Sequence, residues 1–315
     1  MADLPLSIIV PTTGREEPLL SLLRSIQANR LSVKDIVLVV SHQLSPAIRG
    51  LTGLPLVVLE RRPFTGFAQA VNHGITAAEG DSLMVVNDDC TLSEDFLSHA
   101  RPLLSKHPVL QPCILDMANP ECIASFGSSW SAYGMAVDLM RGRSADERFR
   151  APMYVFGITG TCFIARKEVF QQAGLFDRDL GSFLEDVDLS FRLLYNRINV
   201  HAVPNLVCYH QGGASFGRLG RQKARHSVSN VCLVQVKNIP ASLLLRCLPK
   251  ILYAYVRMVV FLLVKGHVTA LFLGWWDVVR KLKKTWKKRR IILSRSPKPL
   301  PDLRQLWLQR SPFRY

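Results

Sequence analysis

Three groups of residues in this 315-residue chain have types and spacing suited to chemistry. Asn87-Asp88-Asp89 directly follows the apolar run 83–86, which puts carboxylates at the end of a strand. Oxygen ligands there suit a hard divalent cation, and such a cation neutralises a diphosphate. Glu185-Asp186-Val187-Asp188 opens a helical pattern in which Val187, Phe191 and Leu194 form the apolar stripe, leaving Asp186 to face a cleft. A carboxylate held beside a cation can take the proton of an attacking hydroxyl. His210 follows the apolar run 206–209 and precedes Gly212-Gly213-Ala214-Ser215, where an imidazole can complete a metal shell or touch a phosphate.

Each group also has a structural alternative. Asn and Asp favour turns, and Ser93-Glu94-Asp95 soon begins a helix. Acids in a first helical turn are favoured by the helix dipole, and Ser182, three residues before Glu185, has the form of a capping box. The segment Gly66-Phe67-Ala68-Gln69-Ala70-Val71-Asn72-His73-Gly74 lacks dinucleotide-fingerprint spacing, and Gly66 and Gly74 suit close packing of a helix on a sheet.

The elements that must position these groups follow from apolar periodicity. Runs 6–10, 36–40, 54–59 and 83–86 predict buried strands, with helices from Pro18 through Ile26 and over 68–78. Strands alternating with helices predict a parallel sheet. Ligands then bind at the strand carboxyl ends, here 11–15, 41–43, 60–64 and 87–89. A second region, 112–217, contains a strand-like run 154–164, a helix 185–195 and a strand 206–209, and the chain has no internal repeat.

Composition narrows the class. Hydrophobic residues at 48% exclude disorder, and the net charge of +16 is concentrated at the C-terminus, where 13 Lys/Arg stand against Asp302 alone from Arg280 onward. Seven scattered cysteines without Cys-x-x-Cys pairs predict a reducing compartment, and the N-terminus has no signal-peptide pattern. The apolar stretches 251–264 and onward to Trp275-Trp276 each fall short of the roughly 20 residues that span hydrocarbon. Joined, they would bury Arg257, Lys265 and His267. They predict a helical pair lying in the membrane interface, with a helical cap on the body or a spanning hairpin as alternatives. The basic run Arg280 to Arg290 suits anionic headgroups, and no nucleic acid is expected.

Taken together and in order, these segments resemble family 2 glycosyltransferases, especially the bacterial rhamnosyltransferase-like members. The matching pieces are Ser7-Ile8-Ile9-Val10-Pro11-Thr12, Gly66-Phe67-Ala68 with Asn72 and Gly74, and Val86-Asn87-Asp88-Asp89. Gly160-Thr161-Cys162-Phe163-Ile164-Ala165-Arg166-Lys167, Gly174-Leu175-Phe176-Asp177, Glu185-Asp186-Val187-Asp188-Leu189 and Tyr209-His210 complete the set. The resemblance implies an α/β fold of the A type, Rossmann-like with a mixed sheet, over residues 1–230. Its nucleotide-binding half covers about 1–110 and its acceptor half about 111–230, and a helical, basic, membrane-associated region follows over 231–315.

By the same resemblance, Asp186 is the catalytic base, and Asp89 and His210 hold Mg or Mn. Pro11, Thr12, Gly14, Arg15, Ser41, Gly66, Asn72, Asn87, Asp88 and Gly160 bind the donor. Two departures stand out: strand 36–40 ends in Ser41-His42-Gln43 where an acid is common, and Asn87 takes the first position of the aspartate-x-aspartate element. The expected reaction is inverting transfer from a nucleotide sugar, dTDP-rhamnose first, to a lipid-linked glycan. Its expected place is the cytoplasmic side, peripheral on the inner face of the plasma membrane. The rivals are a UDP-hexose donor, a degenerate sugar-nucleotide or membrane binder, and a nucleic-acid binder carried by the basic tail.

Overall fold

The computed structural model describes residues 5–30, 32–51, 53–60, 66–148, 151–211, 220–296 and 307–308. Residues 61–64 of the third strand end, the Gly-rich loop 212–215 and the tail beyond 296, apart from 307–308, lie outside the described residues.

Runs of β-branched and aliphatic residues form β1 (Leu6–Thr12), β2 (Asp35–Val40), β3 (Leu56–Glu60) and β4 (Ser82–Val86). Between them lie α1 (Glu16–Ala28), the single turn α2 (Pro46–Arg49) and α3 (Phe67–Ala77). Pro18 sits in the first turn of α1 beside Glu16 and Glu17, and Leu19, Leu22, Leu23 and Ile26 make its buried face. Successive residues of β1 point to opposite sides: Ile8 and Val10 join the core beneath α1, and Ile9 joins the core beneath α3. At Gly74 of α3 a Cβ would collide with the Ile9 side chain, so a small residue is required there.

β5 (Cys90–Leu92), α4 (Phe96–Leu104), β6 (Val109–Asp116), β7 (Ile123–Ser125), β8 (Ser128–Ser131), β9 (Ala136–Asp138), β10 (Met153–Val155), β11 (Cys162–Arg166), α5 (Lys167–Ala173), α6 (Glu185–Tyr195) and β12 (Val200–His210) follow. The main sheet runs β10-β12-β6-β11-β4-β1-β2-β3, with β5 on β12 and β7 on β6. Strands β4, β1, β2 and β3 are parallel, whereas β11 is antiparallel to both β4 and β6, so the sheet is mixed. Strands from both halves of the predicted division therefore interleave in one sheet. The strand-like run 154–164 is two strands: β10 pairs with β12, β11 pairs with β4 and β6, and the chain turns between them. Gly157 lies at the break, where the backbone bridges to Ser128 and a Cβ would collide with Ser190 of α6.

Beyond the sheet, α7 (Arg221–Asn238), α8 (Ala241–Val264) and α9 (Val268–Arg295) form the C-terminal region. Here the expected shortfall in length does not hold. Residues 241–250 extend the apolar stretch through Pro249 into a 24-residue helix, about 36 Å at 1.5 Å per residue. By length and composition α8 can cross a membrane. The basic run is also divided: Lys281, Lys284, Lys288 and Arg289 dock α9 on the body through Asp177, Asp179 and the carbonyls of Asp179, Val236 and Ile239.

Candidate active site

The order β4-β1-β2-β3 reverses direction at the β1/β4 seam, the place where a parallel sheet leaves a crevice beyond its strand ends. Thr12 ends β1 and Asn87 follows β4, so their loops meet. The Thr12 hydroxyl donates to Asp88 Oδ2 at 2.6 Å and accepts from the Gly14 N–H at 2.9 Å. Gly14 turns at φ +83°, a conformation that favours glycine. Arg15 Nη2 then reaches both Asp88 Oδ1, at 2.8 Å, and Asp89 Oδ2, at 3.2 Å. Pro11 of β1 is in register with Val39 of β2, and the Ser41 N–H at the end of β2 donates to the Thr12 carbonyl at 3.2 Å.

The second wall comes from β12. Antiparallel pairing sets His210 opposite Cys90, and the Gln211 N–H donates to the Asp89 carbonyl. His210 Nε2 then stands 3.2 Å from Asp89 Oδ1. Burial alone would lower the imidazole pKa, but Asp89 outweighs it and holds His210 above the ordinary histidine value. Burial likewise acts to raise Asp89, and His210 and Arg15 together hold it below the usual range. The ligand atoms of Asp89, Cys90 and His210 lie within 4.8 Å of one another. A buried carboxylate, an imidazole and a thiol brought this close offer a donor set that fits a divalent cation, which would supply charge stabilisation to a departing diphosphate.

The third component is delivered by α6. Phe183 and Leu184 both adopt positive φ, +80° and +67°, immediately before the helix. Such strain in bulky residues persists only where the surroundings enforce it. Asn230 of α7 enforces it here, donating from Nδ2 to the carbonyls of Leu180, Ser182 and Phe183. Half-buried Asp186 accepts from the Gly160 N–H at 2.7 Å through Oδ2 and from Val187 N–H at 2.8 Å through Oδ1. Burial pushes its carboxyl up to about 6, against those two hydrogen bonds and with the help of nearby Asp138. Thr161, next to Gly160, accepts at its carbonyl from the Asn87 N–H at 2.9 Å, so the β4 end and Asp186 share one strip of backbone.

The whole of 4–229 matches the family model described as Glycosyltransferase like family 2. The chain belongs to this glycosyltransferase family. Solved structures similar to this glycosyltransferase share its A-type fold. S. aureus TarS 1-349 in complex with UDP-GlcNAc is 15% identical with a TM-score of 0.54, covering 96% of this chain and 84% of that one. The mannosyltransferase PcManGT from Pyrobaculum calidifontis, in complex with GDP-Man and Mn2+, is 15% identical with a TM-score of 0.54, covering 94% and 86%. GalNAc-T7 with UDP, GalNAc and Mn2+ is 16% identical with a TM-score of 0.55 over 72% of this chain. The glycosyltransferase spans about half the length of that last chain, 48%. No curated protein matches its sequence.

Within the glycosyltransferase, Thr12, Gly14, Arg15, Asn87, Asp88, Asp89 and His210 converge at the strand ends, and Gly160 joins Asp186 to them. Two expected donor contacts are committed to packing. Asn72 donates from Nδ2 to the Phe176 carbonyl and accepts at Oδ1 from the Phe176 N–H, both at 2.9 Å. At Gly66, with φ +105°, a Cβ would meet the Gly181 backbone at 2.8 Å. The amide groups that open α3 are likewise used, Ala68 N–H on the Gly181 carbonyl and Phe67 N–H on the Ser182 hydroxyl. Ser182 is thus no capping box for α6, whose N-cap Leu184 has no side-chain cap.

Sequence reasoning missed Cys90, Asp138 and Asn230. Only the β5/β12 register brings Cys90 to His210. A signal for Asn230 exists: a lone amide amid Val228, Val231 and Val234 in a helix must find buried partners. Asp188, third of the acids, is also structural, fully buried and bound by Lys237, Arg192 and Asn238.

Proposed function

We propose that this glycosyltransferase is a cation-assisted, inverting enzyme that moves a sugar from a nucleotide-sugar donor to a hydroxyl of a membrane-held glycan. The observation that carries the reading is the shared backbone strip: Gly160 N–H on Asp186 and Thr161 carbonyl on Asn87 N–H join a raised carboxyl to the acidic strand end. Asp186, near pH 7 a carboxylate of unusual basicity, takes the acceptor proton while that hydroxyl attacks the anomeric carbon from the face opposite the leaving group. Arg15, Asp88 and Thr12 orient the donor side. Asp89 and His210 would hold the cation, which when bound would supply charge stabilisation to the diphosphate. Holding donor and acceptor together supplies much of the remaining rate.

Among donors, dTDP-rhamnose ranks first, on the rhamnosyltransferase-like motifs, and a UDP-hexose second. Membrane attachment is favoured by the exposed apolar face of α8 and α9, which includes Leu252, Val256, Val260, Phe272, Trp275 and Trp276, and its proposed place is the inner, cytoplasmic face.

Thermal-shift titration with UDP, GDP, dTDP and CMP, each with and without Mn2+ or Mg2+, tests the donor site. A cation-dependent rise with one nucleotide supports the reading and narrows the donor, and no rise with any nucleotide or cation overturns it.

A further inference from the structure

α7 and α9 meet around a cavity of about 330 Å³ lined by Arg225, His226, Asp277, Arg280 and Lys281. Three permanent cations face one carboxylate, and that carboxylate is already bound: Asp277 accepts from Arg225 Nε at 2.5 Å and Nη2 at 2.7 Å. Lys281 donates to the Asp179 carbonyl at 2.7 Å. Exposed Arg280 has no hydrogen bond or ion pair among the described residues. The excess positive charge and the cavity size both suit a phosphate or diphosphate.

The position of the cavity says where that anion comes from. Trp276, 58% exposed, lies one helical turn before Arg280 on the same side of α9, and Phe272, 71% exposed, lies one turn earlier. The cavity therefore sits on the border of the apolar face. Its inner wall touches the active-site strut: His226 Nδ1 is 2.8 Å from the Ser182 carbonyl, four residues before Asp186.

We infer that this cavity binds the phosphate of a lipid-linked acceptor, with the hydrocarbon lying along the apolar face of α8 and α9 and the glycan directed toward Asp186. The inference rests on the transferase reading and adds to it the site that holds the acceptor's phosphate.

Calorimetric titration of the full chain with short-chain phosphatidic acid, a soluble lipid phosphate, tests it against inorganic pyrophosphate. Arg280→Glu should weaken the lipid phosphate about tenfold or more, while Arg290→Glu on the same helix stays within about twofold. Unchanged binding in Arg280→Glu, or equal losses in both variants, overturns the site in favour of diffuse surface charge. Pyrophosphate binding as tight as the lipid phosphate overturns the lipid source. The nucleotide shift recorded on the same Arg280→Glu preparation should be intact, which shows that the variant is folded. Failure of that shift in the unsubstituted chain would defeat the transferase reading and still leave the lipid titration decisive.

Discussion

Asp186 and Gly160 are joined by a 2.7 Å hydrogen bond from a backbone N–H to a carboxylate, across two elements that the sequence separates by 26 residues. That bond aims Oδ2 without neutralising it. Asp186→Asn keeps the size of the group and removes its basicity. Turnover should fall about 10²- to 10⁴-fold, the usual contribution of a general base, with nucleotide binding retained. Steady-state kinetics beside a thermal-shift titration separates the two, and parallel loss of both would make Asp186 a structural residue.

The raised carboxyl fixes a pH dependence. As the working base is the ionised form, the rate should climb as pH passes through about 6. Stability runs the other way: the folded state holds this proton more tightly than the unfolded chain, so the added stability is present at low pH and is lost as pH rises through about 6. On the order of 1–3 kcal/mol is involved. Urea denaturation at pH 5 and pH 8 should show the Asn variant gaining on the parent at the higher pH.

Asp89→Ala and His210→Ala both remove a partner of the candidate cation. Each should abolish the Mn2+-dependent part of the nucleotide shift; a tenfold weaker affinity corresponds to about 1.4 kcal/mol less stabilisation at saturating ligand. An undiminished Mn2+ effect in either variant would remove that residue from the site.

Lys237 is a buried ammonium shared by Asp177 and Asp188 at 2.6 and 2.8 Å. Replacement by Met leaves two buried carboxylates short of a partner, which should cost about 3–5 kcal/mol. Because burial is outweighed by Lys237 and its neighbours, both carboxyls are held below the ordinary range, so the network is intact above about pH 4 and fails on acidification. A stability loss within 1 kcal/mol of the parent, about what an exposed pair contributes, would refute its buried character.

Phe261 and Trp276 are 50% and 58% exposed on α8 and α9. Changing each to Asp removes about 2 kcal/mol of apolar insertion, so binding to anionic vesicles should drop at least tenfold per site while the melting temperature holds. Vesicle sedimentation reads the first quantity and calorimetry the second. Unaltered sedimentation would place the membrane contact elsewhere.

Much of the fold was legible in the residues. Runs 6–10, 36–40 and 83–86 became β1, β2 and β4 with small extensions, and 185–195 became α6 without change. Periodicity failed at 154–164, where one strand-like run is two strands in different parts of the sheet, separated at Gly157-Ile158-Thr159-Gly160-Thr161. It also fell short at α8, because the polar residues of 241–250 masked a helix that continues through them.

By itself the sequence determined the local elements, the acids at 87–89 and 185–188, and the basic, apolar C-terminal end, since strand and helix periods and strand-end chemistry are properties of neighbouring residues. The tertiary structure alone decided which acids meet. Asp186 reaches Gly160, and Asp188 is lost to Lys237 and Arg192, although the two aspartates lie two positions apart and differ little in sequence context. Successive helical positions point about 100° apart, so two residues on one helix enter different environments, and only the packing of α6 against α7 and the Gly160 loop says which one faces the cleft.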